Sequence, residues 1–349
     1  MPDGDTLFER ACLGKRGARA PVWIMRQAGR YLPEYRKLRA TVSFATAIRT
    51  PSIAAQLTLQ PMERFPLDAA ILFSDIMTPL EGMGIEVEFA PGPVIRHPIR
   101  TPRDVDALRR LDPEEGTPFV LEALRLVRGE LAPERALIGF AGAPFTLLCY
   151  LVEGRGSRDF MEALSFLRRE PEAASALLDL LGASMARYLT AQAEAGADVL
   201  MLFDSWVGVL DPNTYRRFVA PVLERLIARI RTRVDRPVIY FAHRAATLLD
   251  TASRIGADVL GLDWTVPLDQ ATDRLGPETV VQGNLAPAAL FAPRAALGEE
   301  IDAVLVAGQR AAAHIFNLGH GIHRTTDPDQ VAFLVDRVRE TSRRLYARA

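Results

Sequence analysis

The sequence has almost no lysine and almost no cysteine. Only Lys15 and Lys37 are present, so nearly all positive charge is arginine. Schiff-base or pyridoxal chemistry needs a buried lysine. Lys15 sits beside a glycine near the N-terminus and Lys37 sits among charges, so neither suits that role. The two cysteines, Cys12 and Cys149, form no CxxC pair. That argues against a disulfide framework and a cysteine-rich metal site, and fits a reducing cytosol. An excess of one charge is lacking as well. The net charge of −1 argues against general binding to nucleic acid or membranes. The first residues, "MPDGDTLFERACLGKRGA", are too polar for a secretory signal. The longest uncharged run, Ala136 to Val152, is broken by Gly139, Gly142 and Pro144. It reads as a buried strand, a tight loop and a helix start rather than a membrane span.

What is present is apolar. Hydrophobic residues make up 49% of the 349, enough for one large α/β barrel or two ordinary domains. Eight short apolar runs recur: "PVWIM" at 21, "AAILF" at 69, "ALIGF" at 136, "VLMLF" at 199, "PVIYFA" at 237, "VLGLD" at 259, "VVQGN" at 280 and "HIFNLG" at 314. They lack polar alternation, as parallel strands buried on both faces do. Amphipathic segments separate them. "ARYLTAQAEAGA" and "AATLLDTASRIGA" each end in a glycine placed as a helix stop before the next run. No low-complexity linker divides the chain. The pattern predicts an α/β fold, a (β/α)8 TIM barrel forming a single domain over residues 1–349 with enlarged early loops. A doubly wound open sheet is disfavoured, because no glycine-rich dinucleotide turn follows the first run.

In a barrel the chemistry sits just after the strand C-termini. The residues there are polar: Arg26, Asp75, Asp204 with Ser205, His243, Asp263, Asn284 and His320. The stretch "RQAGRYLPEYRKLR" holds Arg26, Arg30, Arg36, Lys37 and Arg39 with one acid, Glu34. A solvated helix with an Arg30–Glu34 pair is the plain alternative, but Gly29 and Pro33 make it a poor helix. Arginine is a planar, permanently charged fork for carboxylates. Several arginines with one acid predict a ligand with several anions.

Asp75 has a possible role as a helix cap, with Ser74 as another candidate. Facing an arginine-lined cavity, it could instead hold N–H donors or a developing positive charge. Phe140, Phe145 and Tyr150 stand among small residues, and the Tyr150 phenol needs a polar partner. Ser205 has no nearby histidine and no nucleophile elbow, so it reads as a hydrogen-bonding group. His320 lies between two glycines, which lets a ligand approach closely. His320 and His323 form an HxxH pair with His314 near. No cysteine or acid lies close, so no metal is predicted.

These residues carry a family likeness. "PVWIMRQAGRYLPEYR" resembles the N-terminal signature of the uroporphyrinogen decarboxylases. "LTLQPMERFPLDAAILFSDI", "GFAGAPFTL", "YLVEG", "LFDSW", "GLDW", "VQGN" and "NLGHGI" resemble further blocks of that family, in order and over nearly the whole chain. The resemblance implies a (β/α)8 barrel, a cytoplasmic homodimer without cofactor or metal, acting on uroporphyrinogen III. It implies loss of CO2 from four acetate arms to give coproporphyrinogen III. By resemblance Arg26, Gln27, Ala28, Gly29 and Arg30 form the carboxylate-binding stretch, with Arg39 a further arginine. Asp75 is the central aspartate that accepts the pyrrole N–H groups. Tyr150, Ser205 and His320 are other substrate contacts, and Phe140 and Phe203 are apolar walls. Proton delivery is open between His320, whose side-chain type titrates near neutrality, and Arg26, a weak acid by type.

The sequence departs from the family pattern in places. His243 and Arg244 stand where Lys-Gly is expected, Ala286 stands where Asp is expected before Pro287, and "HRTTDP" from His323 replaces an early proline. Two rivals remain. A zinc methyltransferase of the same superfamily needs a histidine–cysteine set, and neither cysteine stands in an HxC motif. A tetrapyrrole carrier would keep the arginines without needing Asp75.

Overall fold

A computed structural model describes residues 6–89 and 92–347. Its strands are β1 (Ala69–Ile71), β2 (Val87–Phe89), β3 (Pro93–Ile95), β4 (Ala136–Gly142), β5 (Val199–Asp204), β6 (Val238–Ala242), β7 (Val259–Leu262), β8 (Val280–Leu285) and β9 (Ala313–Leu318). One parallel sheet takes the order β1-β4-β5-β6-β7-β8-β9. Every residue of β4, β6, β8 and β9 is buried, which is why those runs show no polar alternation. The two faces still separate by period two. Ile138, Met201, Ile239, Val259 and Ile315 share an inner cluster with Ala69 and Trp23. Leu137, Leu200, Tyr240, Leu260 and Phe316 join the outer cluster against the helices. Side chains from both edge strands meet in the inner cluster, so the sheet is curled.

The structure has seven strands in this sheet where the sequence predicts eight. The run "PVWIM" makes only one bridge, Val22 to Phe316 in β9. On its other side the Asp68 amide donates to the Val22 carbonyl at 2.9 Å. The missing ladder has a physical reason. Three of the run's amides are capped by side chains: Val22 by Asp68 at 2.8 Å, Ile24 by Gln27 at 3.1 Å and Met25 by Asn317 at 2.9 Å. The segment is thus bonded to both edges of the sheet without being a regular strand.

Residues 72–135 form the enlarged early connection. It carries the antiparallel β2–β3 hairpin, which the sequence reading did not predict. "ALIGFAGAPFTLLCYLV" is strand β4 followed by the helix Pro144–Glu153, as read. Gly196 (φ 115°) and Gly256 (φ 90°) fall at the predicted stops before β5 and β7. The helix before β5 is long, Pro171–Glu194, but the one before β7 shrinks to Leu249–Ala252. Among the described residues no helix is long and apolar enough to cross a membrane.

Candidate active site

The polar residues predicted at the strand ends do lie at one end of the curled sheet. Arg26 follows the 21–25 segment and has a left-handed backbone, φ 65°. An ordinary residue pays for that conformation, and such residues concentrate at functional sites. The turn that follows is tightly held. The Gln27 side chain is buried, donating to the Ala69 carbonyl at 3.0 Å and accepting from the Ile24 amide. It ties the turn to β1 and leaves its side chain no capacity for a ligand carboxylate. Ala28 is half-buried. A Cβ on Gly29 would lie 2.8 Å from the Arg26 carbonyl, so the turn needs glycine there. A Cβ on Gly321 would lie 2.4 Å from Arg26 Cδ, so that glycine makes the room in which the Arg26 side chain lies.

The arginines divide by task. Arg26 and Arg30 are exposed and form no ion pair among the described residues. The plain Arg30–Glu34 pair does not form, because Glu34 meets Arg64 at 3.4 Å. Arg36 is spent on the carbonyls of Arg30 and Tyr31, at 2.9 and 2.8 Å. Arg39, at the end of the helix Pro33–Arg39, donates to the Val42 carbonyl and lies 5.8 Å from the Phe44 ring centroid. Phe44 packs edge-on against Phe73, two residues before Asp75.

Asp75 stands in the loop after β1. Its Oδ1 accepts from the Met77 amide at 2.9 Å, the turn that leads into the helix Thr78–Gly82. Its second oxygen accepts no hydrogen bond among the described residues. One oxygen thus shapes the turn ahead of the helix, whose N-cap is Met77 and not Asp75 or Ser74 as expected, and the other is left without a partner among the described residues. Burial raises its pKa, opposed by the Met77 N–H and the charge of Arg26.

Rings line the wall beyond. Phe140 meets Phe203 edge-on at 5.5 Å, and Phe203 meets Phe241 at 6.1 Å. Phe241 lies 6.4 Å from His320, and His320 lies 4.7 Å from His243. Burial, then His243 and Arg26, push the His320 pKa down to about 4. The expectation that His320 titrates near neutrality fails for that reason. Tyr150 packs against Trp206 at 6.1 Å. Burial raises its phenol pKa, and the charges of Asp75 (raising it) and Arg26 (lowering it) both reach it. Ser205 is half-buried, and its carbonyl meets His243 Nδ1 at 3.2 Å.

Asp204 and Asp263 point to structural work instead. Asp204 is fully buried and accepts from Thr146 Oγ1 at 2.7 Å and from the Tyr240 hydroxyl at 2.8 Å. Asp263 accepts from the Arg244 and Thr265 amides. Asn284 donates to the carbonyls of Asp263 and Val266, at 2.8 and 2.5 Å. The three histidines do not converge. His314 is buried with Nε2 2.7 Å from the Gly283 carbonyl, and exposed His323 turns to Thr325 at 2.9 Å. No cluster of three metal-ligating side chains occurs among the described residues. Sequence reasoning missed Trp264, exposed at the rim 5.9 Å from His243, and the role of Gly321. The glycine had a signal, its place beside His320.

The family model for uroporphyrinogen decarboxylase matches residues 3–341. The uroporphyrinogen decarboxylases of Trichlorobacter lovleyi and Geobacter metallireducens are each 47% identical over 97% of this chain and 99% of their own. The chain belongs to the uroporphyrinogen decarboxylase family. Among solved structures, a methyltransferase from Methanosarcina mazei superposes with a TM-score of 0.82 over 97% of this chain and 98% of its own. A putative vitamin-B12 independent methionine synthase from Listeria monocytogenes gives 0.59 over 92% of this chain and 96% of its own. At 20% and 13% identity they share the fold alone. The positions expected to depart from the family pattern lie after strand ends. His243 and Arg244 follow β6, Ala286 caps the short helix Pro287–Phe291, and His323 lies beyond His320.

Proposed function

We propose that the protein removes CO2 from the four acetate arms of uroporphyrinogen III, giving coproporphyrinogen III. The observation that carries this is that Arg26, which forms no ion pair among the described residues, bears on Asp75, whose carboxylate has one oxygen without a hydrogen-bond partner among them, at the same end of the sheet as a row of rings. Such a cleft suits a macrocycle with anions outside and N–H groups inside.

The chemistry needs no added electron sink. A proton added to a pyrrole carbon makes the ring cationic. The bond to the carboxylate then breaks, CO2 leaves, and its electron pair neutralises the ring as an exocyclic methylene. A proton on that carbon makes the methyl group, and loss of the first proton restores the pyrrole. One proton is consumed per CO2. Asp75 stabilises the cation and holds the pyrrole N–H groups, which is electrostatic preorganisation. Arg26 and Arg30 orient the carboxylates, with Arg39 behind them and the Gln27–Gly29 turn contributing backbone. Tyr150, Ser205 and His320 hydrogen-bond the substrate, and Phe140 and Phe203 flank the ring. Of the two groups considered for proton delivery, His320 is neutral above about pH 4, whereas a guanidinium is charged at pH 7.

The reading takes the chain as one (β/α)8 domain whose eighth strand is the 21–25 segment, working as a cytoplasmic homodimer without cofactor. The test is anaerobic turnover of enzymatically generated uroporphyrinogen by metal-stripped protein, with oxidised products separated by carboxylate number. Stepwise loss from eight carboxylates to four is expected. Tight binding with no loss would favour a tetrapyrrole carrier, and activity restored only by zinc would favour the methyltransferase-type site.

A further inference from the structure

Three non-glycine residues among those described have a left-handed backbone, and two of them are arginines at the mouth of the site. Arg26 is one and Arg244, φ 55°, is the other. A glycine would occupy either conformation without strain. Arg244 is fixed there by its own amide, which donates to the buried carboxylate of Asp263 at the end of β7. The chain of this loop also passes close over Gly208 after β5, where a Cβ would lie 2.6 Å from Arg244 Cβ. Three strand-end loops thus agree on where this residue starts. Its guanidinium makes no hydrogen bond or ion pair with any described residue, and the residue is exposed. A strained position that spends its side chain on nothing in the fold is the mark of a group kept for a ligand.

The neighbouring residue does not supply that charge. His243 Nδ1 faces the Ser205 carbonyl at 3.2 Å. A carbonyl only accepts, so Nδ1 carries the hydrogen. Nε2 is buried without a partner among the described residues, and burial lowers the pKa of the ring, which disfavours the charged imidazolium. The His243 ring lies against His320 at 4.7 Å, so Arg244 follows directly on the wall of the site. The charged groups that bear on this wall are Asp263, Arg26 and Arg244.

We infer that Arg244 binds a carboxylate of the substrate from the β6 side of the mouth, across from Arg26 and Arg30. This rests on the proposed function, because a ligand with carboxylates all round its ring needs cations on more than one side.

The test compares wild type with Arg244→Ala, Arg244→Lys and Arg244→Gly, measuring KM and kcat for uroporphyrinogen and Tm for each. Loss of a charge-assisted contact made equally in ground and transition states raises KM by about tenfold and leaves kcat within about twofold. Arg244→Ala and Arg244→Gly should both show this, and Arg244→Lys should recover part of it. Arg244→Gly should unfold at or above the wild-type temperature, because glycine relieves the left-handed strain. An unchanged KM in Arg244→Ala, or a Tm several degrees lower in Arg244→Gly, overturns the inference and leaves the decarboxylase reading standing. A wild type that turns over no uroporphyrinogen overturns that reading, and this inference with it.

Discussion

Asp75 and Asp204 both follow apolar strand residues, and burial raises the pKa of both. Their uses differ. Asp75 has one oxygen without a hydrogen-bond partner among the described residues, whereas Asp204 spends both on Thr146 and Tyr240. The difference was legible in the alternation of β5: Val199, Met201 and Phe203 join the inner cluster, so Asp204 must face the helices. The position of Asp204 beside Ser205 at the strand end does not by itself separate their uses. For Asp204 the folded pKa of about 6 lies above the ordinary 3.8. A carboxyl raised on folding stabilises the protein fully below the lower value, and that contribution is lost as pH rises through the higher one. Asp204→Asn does not titrate. Its unfolding midpoint, measured by thermal melts at a series of pH values, should lack the wild-type decline between pH 3.8 and about 6. An unaltered pH dependence would mean that another group carries it.

The arginine turn shows what sequence can and cannot give at the level of elements. Five cations against one acid signalled an anion site, and Gly29 and Pro33 signalled that the stretch is no regular helix. Which cations are available was not legible. It depends on carbonyls at Arg30, Tyr31 and Val42 and on an ion pair from Arg64, a residue far along the chain. The first strand was overread for a similar reason. Its apolar run is strand-like, but Asp68, Gln27 and Asn317 take its amides, and no local pattern foretells that. Gly321 links this turn to the His320 loop. In Gly321→Ala the new methyl would meet Arg26 Cδ at 2.4 Å, so the arginine must move. A displacement of about 1 Å can cost up to about a hundredfold in rate. We expect kcat/KM to fall by about ten- to a hundredfold with Tm near wild type, as steady-state kinetics and a melt on the same sample would show. Unchanged kinetics would mean that Arg26 need not hold this position.

At the scale of the molecule, seven of the eight apolar runs became strands of the one sheet. Burial on both faces wrote them into the sequence as unbroken hydrophobic stretches. The β2–β3 hairpin was not legible, because its strands are short and only Ile95 among their residues is buried. The curled sheet then brings Arg26, Asp75 and His320, drawn from distant parts of the chain, to one end. We propose that this arrangement stabilises positive charge on a bound pyrrole, with Asp75 as the stabilising group. The most direct measurement is single-turnover decarboxylation by Asp75→Asn, with substrate binding measured in parallel. Removing one well-placed electrostatic group costs about 10²–10³ in rate. We predict that Asp75→Asn binds uroporphyrinogen within about tenfold of wild type yet loses carboxylates slower by that factor. A near wild-type rate in Asp75→Asn would rule out Asp75 as the group that stabilises the cation.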